Sequence, residues 1–526
     1  MGLRQQLLSR SKKALFSPAV MRWVSDDRVM KAAEGLMDAR TRVKDAWKVL
    51  IQGYDLPNVD PALDEVVGER TTLRMEMRAQ ALEESGSNGA KNGSATNGSA
   101  TNGASHGSTD MDESMKERNT LAGIGGKDVF EKCRKFMAAD NARKIGIYPF
   151  FRPLDLNDGP EAVINGKRVV MLGSNNYLGF TTHPKVREAA KTAIDRFGTS
   201  MTGSRLVNGS MKMHEEFEAK LAAWFNRESA LVFTTGYQVN LATCAALLSN
   251  KSSVAVIDRN VHASLYDGAR LGQAAGARLV RYKHNDADSL DKTLEKLEAD
   301  EGALVITDGV FSAEGEIAKL DELVPVVKKH KARLLVDDAH ALGVIGPGGR
   351  GTAALFGVED QVDLMGGTFS KSLASIGGWL VGERKVLDYI RHFAPSFMFA
   401  AAAAPPSVAA AMAAFELMQE ETWRIDKLRE NFTYMRDQLR GMGFELGHTQ
   451  TAVIPIFIRQ DLRTIRMWRD LLDEHGIYTN PFISPGVPPK SAMLRTSYMA
   501  THERSHLDRA LEAFRTVGKK YGVIQG

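Results

Sequence analysis

The sequence predicts an α/β fold, in which a large domain with a parallel or mixed sheet precedes a smaller C-terminal α+β domain. Short apolar runs alternate with amphipathic stretches between residues 165 and 395, as buried strands do when helices connect them. After Pro405 and Pro406 the chain becomes helical and then contains one strand-like run, AVIPIFI at 452–458. This change of pattern indicates that the smaller domain begins near residue 396.

Residues 1–84 are predicted to form a basic helical extension. The first 24 residues carry five basic side chains and no acidic one, and their apolar residues recur near helical spacing. Such a helix attaches to an anionic membrane surface or packs on a protein, and a mitochondrial presequence also starts basic and poor in acidic residues. All three interpretations stay open at this point.

Residues 85–118 are predicted to be a flexible linker. Residues 85–109 read SGSNGAKNGSATNGSATNGASHGST and contain no aromatic or branched aliphatic side chain. Such a segment cannot bury enough apolar surface to offset the entropy that it would lose on ordering. An N-terminal arm of the folded body is expected to follow at 119–164.

The large domain is predicted at 165–395 and the small domain at 396–526. Amphipathic stretches such as Val186–Phe197 and Leu320–His330 indicate helices of the large domain. Its predicted strands are Ala230–Phe233, Val254–Ile257, Arg278–Val280, Leu304–Thr307, Arg333–Asp337 and Leu364–Gly367.

Composition and charge exclude several classes of protein. Hydrophobic residues make up 43% of the 526 residues, which excludes a wholly disordered chain. The two cysteines, Cys133 and Cys244, allow one disulfide at most, and a net charge of +4 does not indicate a nucleic-acid partner. No apolar run approaches the roughly 20 residues of a membrane-spanning helix. We therefore expect a soluble, cytoplasmic protein with reduced thiols and no metal site.

Polar and small residues follow the ends of several predicted strands, where parallel α/β sheets bind their ligands. Gly236 precedes a predicted helix whose N-terminus can cradle a phosphate, and His262 follows the strand that ends in VID. Asp337 and His340 stand at another strand end, and Lys371 lies in the glycine-rich stretch GGTFSKSLASIGG. Pyridoxal phosphate needs these four groups together: a phosphate-binding turn, an acid for the ring nitrogen, an imidazole that stacks on the ring and a buried lysine that forms a Schiff base. Neither GxxxxGK[ST] nor GxGxxG follows a strand, so a nucleotide site has no support.

Seven stretches in the body of the chain resemble the α-oxoamine synthase family of fold-type I pyridoxal-phosphate enzymes. They read LGSNNYLGF, GSRLVNGS, TTGYQVN, DRNVHASLYDG, DGVFSAEGE, VDDAHALGVIGPGGRG and GTFSKSLASIGG, and the similarity extends from about residue 145 to 522. Three stretches are most similar to the bacterial serine palmitoyltransferase branch of that family: YPFFRPL, GTFSKSLASIGG and NPFISPGVPPKSAMLRTSYMATH. The resemblance implies the aminotransferase-like fold and a condensation of an amino acid with an acyl-CoA.

The resemblance also implies a role for each matching residue. Lys371 would bind the cofactor covalently, Asp337 would pair with the pyridine nitrogen, and His262 would stack on the ring and help to hold the substrate carboxylate. His340 would complete the catalytic set. Further cofactor contacts would come from Gly236, Tyr237 and Thr368 at the phosphate and from Ser312 and His340 at the phenolic oxygen. Substrate contacts would come from Arg495 and from either Asn175 or Asn176.

Two features depart from the family pattern. Family members often carry Ser or Thr in the segment that here reads FAAAAAPP at 399–406, where Ala400 and Ala402 cannot donate a hydroxyl to the phosphate. Some serine palmitoyltransferases carry an arginine in the loop that here reads ISPGVPP at 483–489. Carboxylate capture is therefore expected to depend more on Arg495 and His262.

The activity implied is the condensation of L-serine with palmitoyl-CoA to give 3-ketodihydrosphingosine, CoA and CO2, the first step of sphingolipid synthesis. A homodimer is expected, with peripheral contact at the inner membrane surface through the N-terminal extension. Glycine- or alanine-using members, of the 2-amino-3-ketobutyrate CoA ligase, 5-aminolevulinate synthase or 8-amino-7-oxononanoate synthase type, share every cofactor residue and remain alternatives. A catalytically silent partner subunit is disfavoured because Lys371, Asp337 and His262 are all present.

Overall fold

The structure is a computed structural model that describes residues 128–525. The extension predicted at 1–84 and the linker predicted at 85–118 lie outside the described residues, as does the start of the arm predicted at 119–164. The chain divides into two compact units, Met1–Tyr148 and Pro149–Gly526. In the described part of the first unit, the helices are α1 (Glu131–Arg134) and α2 (Ala138–Lys144).

The second unit contains three sheets and the helices that connect and cover them. Its strands are β1 (Leu156–Asp158), β2 (Glu161–Ile164), β3 (Lys167–Met171), β4 (Ser229–Phe233), β5 (Ser253–Asp258), β6 (Arg278–Tyr282), β7 (Gly302–Asp308), β8 (Arg333–Asp337), β9 (Leu364–Thr368), β10 (Gly378–Gly382), β11 (Val453–Phe457), β12 (Ile477–Tyr478), β13 (Asn480–Phe482) and β14 (Met493–Ser497). Its helices are α3 (Pro184–Phe197), α4 (Lys212–Trp224), α5 (Gly236–Leu247), α6 (Ala263–Ala274), α7 (Ala287–Leu294), α8 (Leu320–Lys329), α9 (Thr352–Leu355), α10 (Arg384–Phe393), α11 (Pro395–Met398), α12 (Pro405–Glu420), α13 (Trp423–Gly441), α14 (Asp461–Asp473) and α15 (Arg504–Lys520).

The largest sheet has seven strands in the order β4-β10-β9-β8-β7-β5-β6. Strands β9, β8, β7, β5 and β6 pair in parallel, while β10 is antiparallel to both of its neighbours, β4 and β9. All six strands predicted for the large domain are confirmed. Strand β10 makes the sheet mixed, and its sequence GWLVG is too short and glycine-rich to indicate a strand by periodicity.

The core of this sheet explains why its strands are visible in the sequence. Every residue of β5 and β9 is buried. A strand that is covered on both faces has no polar side, so it reads as a continuous apolar run rather than an alternating one. Helix α5 packs on β9 and β10, α6 packs on β5, and α8 packs on β8.

Two smaller sheets are built from segments that are far apart in the chain. Strand β12 pairs in parallel with β3 and completes a sheet of order β1-β2-β3-β12. Strands β11, β14 and β13 form an antiparallel sheet, in which Arg495 of β14 lies opposite Pro455 and Asn480. The predicted strand at 452–458 and the helix after Pro405 are confirmed by β11 and α12.

Both cysteines are free thiols, Cys133 exposed and Cys244 buried. Among the helices between residues 128 and 525, none combines the length and the hydropathy that crossing a bilayer requires.

Candidate active site

The carboxyl ends of neighbouring strands bring the first candidate residues together. Asp308 is the last residue of β7 and pairs directly with Asp337, the last residue of β8. Strand β9 is next to β8 and ends at Thr368, three positions before Lys371. Because these strands are parallel, their ends meet at one edge of the sheet.

Lys371 has a perturbed amine at this edge. Burial lowers its pKa to about 8, the positive charge of Arg495 contributes in the same direction, and the carboxylates of Asp337 and Asp308 oppose the shift. The side chain lines a cavity of about 420 Å³ together with Asn176 and Ser375, among others. A lysine with this pKa is partly uncharged near neutral pH, which a nucleophile or a base requires.

Asp337 is buried and held by two donors. Its Oδ1 accepts a hydrogen bond of 2.9 Å from the backbone N–H of Ala339, and its Oδ2 accepts one of 2.6 Å from the side-chain amide of Asn240. Asn240 lies on α5, which packs against the neighbouring strand β9. The carboxylate is thereby fixed in orientation at the strand end.

His262 caps the N-terminus of α6. Its backbone N–H lies 3.1 Å from Oδ2 of Asp308, and its Nδ1 lies 2.7 Å from Oγ of Ser264. Burial lowers the pKa of His262, Asp337 opposes that shift, and the cation of Lys371 adds to it. The rings of Tyr237 and His262 are T-shaped to each other, with 6.4 Å between their centroids and 78° between their planes.

Gly236 is the first residue of α5 and lies against Thr368. A Cβ on Gly236 would approach the Cβ of Thr368 to 2.6 Å, so only glycine allows the helix terminus to come this close to the end of β9. The hydroxyl of Thr235 caps the helix by accepting from the N–H of Gln238 at 3.1 Å. The hydroxyl of Tyr237 donates to Asp267, and its side chain is 45% exposed.

Arg495 forms a second cluster. Its Nε donates to the carbonyl of Ser312 at 2.7 Å, and its Nη1 donates to Oδ1 of Asn175 at 3.0 Å and to Oγ of Ser497 at 2.9 Å. The residue is 3% exposed, and burial lowers its pKa. These three partners are neutral oxygens, so the buried cation has an unmet preference for an anion.

Tyr177 connects this cluster to His340. Its hydroxyl lies 2.6 Å from Nδ1 of His340, and both residues are buried. Burial raises the pKa of Tyr177 to about 12 and holds the pKa of His340 well below its usual value, so both groups are neutral near pH 7. The sequence analysis did not identify Tyr177, although it lies within LGSNNYLGF.

The two candidate asparagines occupy different places. Asn175 contacts Arg495, whereas Asn176 lines the Lys371 cavity and donates to the hydroxyl of Thr181 at 2.8 Å. Asn175 is thus the asparagine of the arginine cluster.

In the alanine segment, Ala402 is buried and its N–H donates to the carbonyl of Gly203 at 2.9 Å. The hydroxyl of Thr234, two residues before Gly236, donates to the carbonyl of Ala401 at 2.6 Å. The backbone of this segment is therefore tied to the strand end that precedes α5, and Ala400 and Ala402 bring no hydroxyl to it.

The chemistry of this set of residues fits pyridoxal phosphate. The lowered pKa of Lys371 suits a Schiff-base amine, and the carboxylate of Asp337 suits the ring nitrogen. Helix α5 begins at Gly236, close to Thr368. The free N–H groups at this helix N-terminus could bind the phosphate.

Comparisons with known proteins agree with this fit. The family model for class I and II aminotransferases matches residues 167–514. A serine palmitoyltransferase of Sphingobacterium spiritivorum is 41% identical over 390 residues, which cover 74% of this chain and 96% of that protein. An 8-amino-7-oxononanoate synthase of Thermoanaerobacter pseudethanolicus is 36% identical over 386 residues, covering 73% and 96%.

A solved structure agrees as well. A serine palmitoyltransferase with its pyridoxal phosphate internal aldimine superposes with a TM-score of 0.73 at 35% identity, covering 76% of this chain and 100% of that chain. The chain therefore belongs to the class I and II aminotransferase family and, within it, to the α-oxoamine synthases, which are acyltransferases of fold type I that depend on pyridoxal phosphate.

Proposed function

We propose that the enzyme condenses L-serine with palmitoyl-CoA, releasing CoA and CO2 and forming 3-ketodihydrosphingosine, the first step of sphingolipid synthesis. The observation that carries this choice of substrates is the 41% identity to a serine palmitoyltransferase, which extends over 96% of that relative. Solved structures of serine palmitoyltransferases at 34–36% identity support the same choice.

Arg495 would bind the carboxylate of the amino acid. Its guanidinium is buried and hydrogen bonds to neutral oxygens, so a substrate carboxylate would supply the missing negative charge in a charge-assisted pair. Asn175 would keep the guanidinium in place, since its Oδ1 accepts from Nη1. In this proposal Asn176 would instead face the substrate from the Lys371 cavity.

Pyridoxal phosphate, when bound, supplies an electron sink for the negative charge that develops at the substrate Cα. The Nζ of Lys371 would hold the cofactor and then remove the Cα proton, because its lowered pKa leaves part of the amine free. The carboxylate of Asp337 would keep a proton on the ring nitrogen, held in place for this by Asn240 and Ala339.

The remaining residues would hold and orient the cofactor. Gly236, Tyr237 and Thr368 would bind its phosphate at the start of α5, and His262 would cover one face of the ring. Ser312 and His340 would lie at the phenolic oxygen, where a neutral His340 accepts or donates one hydrogen bond without adding charge.

An 8-amino-7-oxononanoate synthase activity, with alanine as the amino acid, is the second candidate. The 36% identity to such an enzyme over 96% of its length favours it, and the cofactor residues would serve either reaction. The cofactor set therefore does not separate the two.

A substrate screen tests the proposal. The purified holoenzyme is given serine, glycine, alanine or threonine, each with acetyl-, pimeloyl- or palmitoyl-CoA, and CoA and CO2 release are measured. The proposal expects the highest kcat/KM for serine with palmitoyl-CoA. If kcat/KM is highest for alanine with pimeloyl-CoA, the enzyme is an 8-amino-7-oxononanoate synthase and the proposal is wrong.

We also propose a homodimer. Several large apolar side chains stay exposed around the segments joined by the Ser204–Ala401 bridge, including Val207 at 78% and Phe399 at 73%. Exposed apolar groups this close to a site are typical of an interface. Light scattering is expected to give twice the chain mass of 57.7 kDa, and Val207→Glu is expected to shift it toward the monomer.

For the N-terminal extension we propose peripheral attachment to an anionic membrane surface, which would place the enzyme in the cytoplasm at the inner membrane. The test uses the full chain with glutamine at its five N-terminal basic positions, Arg4, Arg10, Lys12, Lys13 and Arg22. Sedimentation with vesicles of anionic phospholipid is expected to fall while turnover stays unchanged. Unchanged sedimentation would contradict the proposal.

A further inference from the structure

A chain of hydrogen bonds runs from Asp337 through Asn240 and Ser264, all three buried, to His262. The side-chain nitrogen of Asn240 lies 2.6 Å from Oδ2 of Asp337 and 2.8 Å from Oγ of Ser264. The same Oγ lies 2.7 Å from Nδ1 of His262. Asn240 and Ser264 are 3% and 1% exposed, so solvent water has little access to these bonds.

The direction of each bond in the chain follows from what its members can donate. A carboxylate only accepts, so the group that Asn240 presents to Asp337 must be its NH2. The second hydrogen of that NH2 points to the Ser264 oxygen. The Ser264 hydroxyl then has its own hydrogen left for His262, and it donates that hydrogen to Nδ1.

A second donor meets the same nitrogen of His262. The backbone N–H of Ser264 points at Nδ1 from 3.3 Å. With both donors in place, Nδ1 acts as an acceptor and the ring proton stays on Nε2. Protonating Nδ1 would turn two hydrogen bonds into donor–donor contacts, so the imidazolium form is disfavoured.

We propose that Asn240 and Ser264 are positioning residues, which tie His262 to Asp337 and keep the imidazole neutral with its proton on Nε2. Neither residue needs to touch substrate or cofactor for this. The consequence rests on the proposed function: an uncharged ring covers the cofactor without repelling a protonated pyridine nitrogen, and its Nε2–H is a donor for a substrate carboxylate.

Charged and titratable groups on the surrounding elements also act on His262. Asp337 and Asp267 favour the imidazolium, Lys371 disfavours it, and Asp308 accepts from the backbone N–H of the same residue. The phenol of Tyr237, whose ring is T-shaped to the imidazole, is uncharged, because its hydrogen bond to Asp267 raises its pKa to about 12. None of these groups bonds to Nδ1, so the hydrogen-bond chain has its own separable effect.

Hydrogen–deuterium exchange at the imidazole C2, measured peptide by peptide with mass spectrometry, reports the pKa of His262 in the holoenzyme. The variants are Ser264→Ala, which removes one donor to Nδ1, and Asn240→Asp, which replaces the NH2 by an acceptor of the same shape. The control is Thr243→Val, on helix α5 with Asn240. Thr243 is buried, and its hydroxyl donates to the carbonyl of Val239 at 2.7 Å.

We expect the pKa of His262 to rise by about one unit in Ser264→Ala, the size of one net hydrogen bond. It should rise further in Asn240→Asp, where Ser264 would donate to the new carboxylate and accept from Nδ1. Thr243→Val should keep the wild-type value. The proposal is wrong if the pKa of His262 stays at the wild-type value in Ser264→Ala. If Asn240→Asp does not fold, the result for Ser264→Ala decides by itself.

The absorbance of bound pyridoxal phosphate, recorded beside the exchange, confirms that each variant carries the cofactor. The exchange measurement needs no substrate. Failure of serine and palmitoyl-CoA to react would therefore overturn the proposed substrates without changing this result.

Discussion

Two regions build the proposed site, and they differ in how far apart in the chain their residues lie. The sheet edge, formed by Asp337 and Lys371 with the start of α5, uses the ends of neighbouring strands and the turns that follow them. The arginine cluster described above, called the arginine corner from here on, joins Arg495 to Ser312 and Asn175. These two residues lie 183 and 320 positions before Arg495 in the chain. The first region follows from the order of the strands, whereas the second exists only once the whole unit is folded.

The difference separates two parts of the function. The sheet edge carries groups that would suit the cofactor and hence any α-oxoamine synthase reaction. The arginine corner carries a buried cation that would place the substrate by its carboxylate. Damage to the first should abolish the chemistry, and damage to the second should weaken substrate binding.

The largest effect is expected from Lys371→Ala at the sheet edge. Loss of the amine removes the proposed base and cofactor attachment, so turnover should fall by about 10⁴-fold or more. A matched control is Lys385→Ala, an exposed lysine on α10. Turnover within tenfold of wild type in Lys371→Ala would remove this residue from the chemistry.

Asp337→Asn should lower kcat by roughly 10²- to 10³-fold, because a neutral amide cannot keep the ring nitrogen protonated. The control is its neighbour Asp338, a buried acid whose pKa is raised to about 7 by burial and whose Oδ2 accepts from the N–H of Thr352 at 2.9 Å. At pH 6.5 much of Asp338 is protonated, so Asp338→Asn should keep kcat within a few fold. Equal losses in both variants would show that the effect is not specific to Asp337.

Arg495→Met tests the arginine corner. The KM for the amino acid should rise by about 10- to 100-fold, while bound cofactor keeps its absorbance, since a charge-assisted pair is lost but the sheet edge is intact. Arg459→Met, which removes an exposed arginine paired with Glu445, is the control. An unchanged KM in Arg495→Met would mean that the substrate carboxylate binds elsewhere.

Tyr177→Phe should give the smallest effect, since it removes one hydroxyl between the two regions. Nδ1 of the buried His340 loses its partner, so the free energy of unfolding should fall by about 1–3 kcal/mol in urea titrations. Tyr498→Phe removes a buried hydroxyl that accepts from Thr496 and serves as the control. Both variants should lose stability, but only Tyr177→Phe should raise the amino-acid KM, by a few fold.

The sheet edge was largely predictable from the sequence. Strands covered on both faces read as continuous apolar runs, so the ends of β5, β7, β8 and β9 could be located, and Asp337 and His262 with them. Strand β10 was missed because five residues with glycine at both ends carry no periodicity. Strands β1 and β2 were missed because they are three and four residues long, and the whole of β1 is exposed. Strand β3 begins with the exposed Lys167 and Arg168, so only its last three residues are apolar and buried.

The arginine corner was not predictable from local patterns. Arg495 was predicted only from the family resemblance. That resemblance did not decide whether Asn175 or Asn176 contacts the substrate. Their side chains diverge in the fold, toward Arg495 and toward the Lys371 cavity. Tyr177, Asn240 and Ser264 were missed, since their partners lie on other elements and a polar residue inside a motif does not reveal what it bonds to.

The attachment site of pyridoxal phosphate is the most direct test of the role proposed for Lys371. The holoenzyme is reduced with borohydride and digested, and the pyridoxyl group is located by mass spectrometry. We expect the adduct on the peptide that contains Lys371 and its loss in Lys371→Ala. An adduct on another lysine, with Lys371 unmodified, would contradict it.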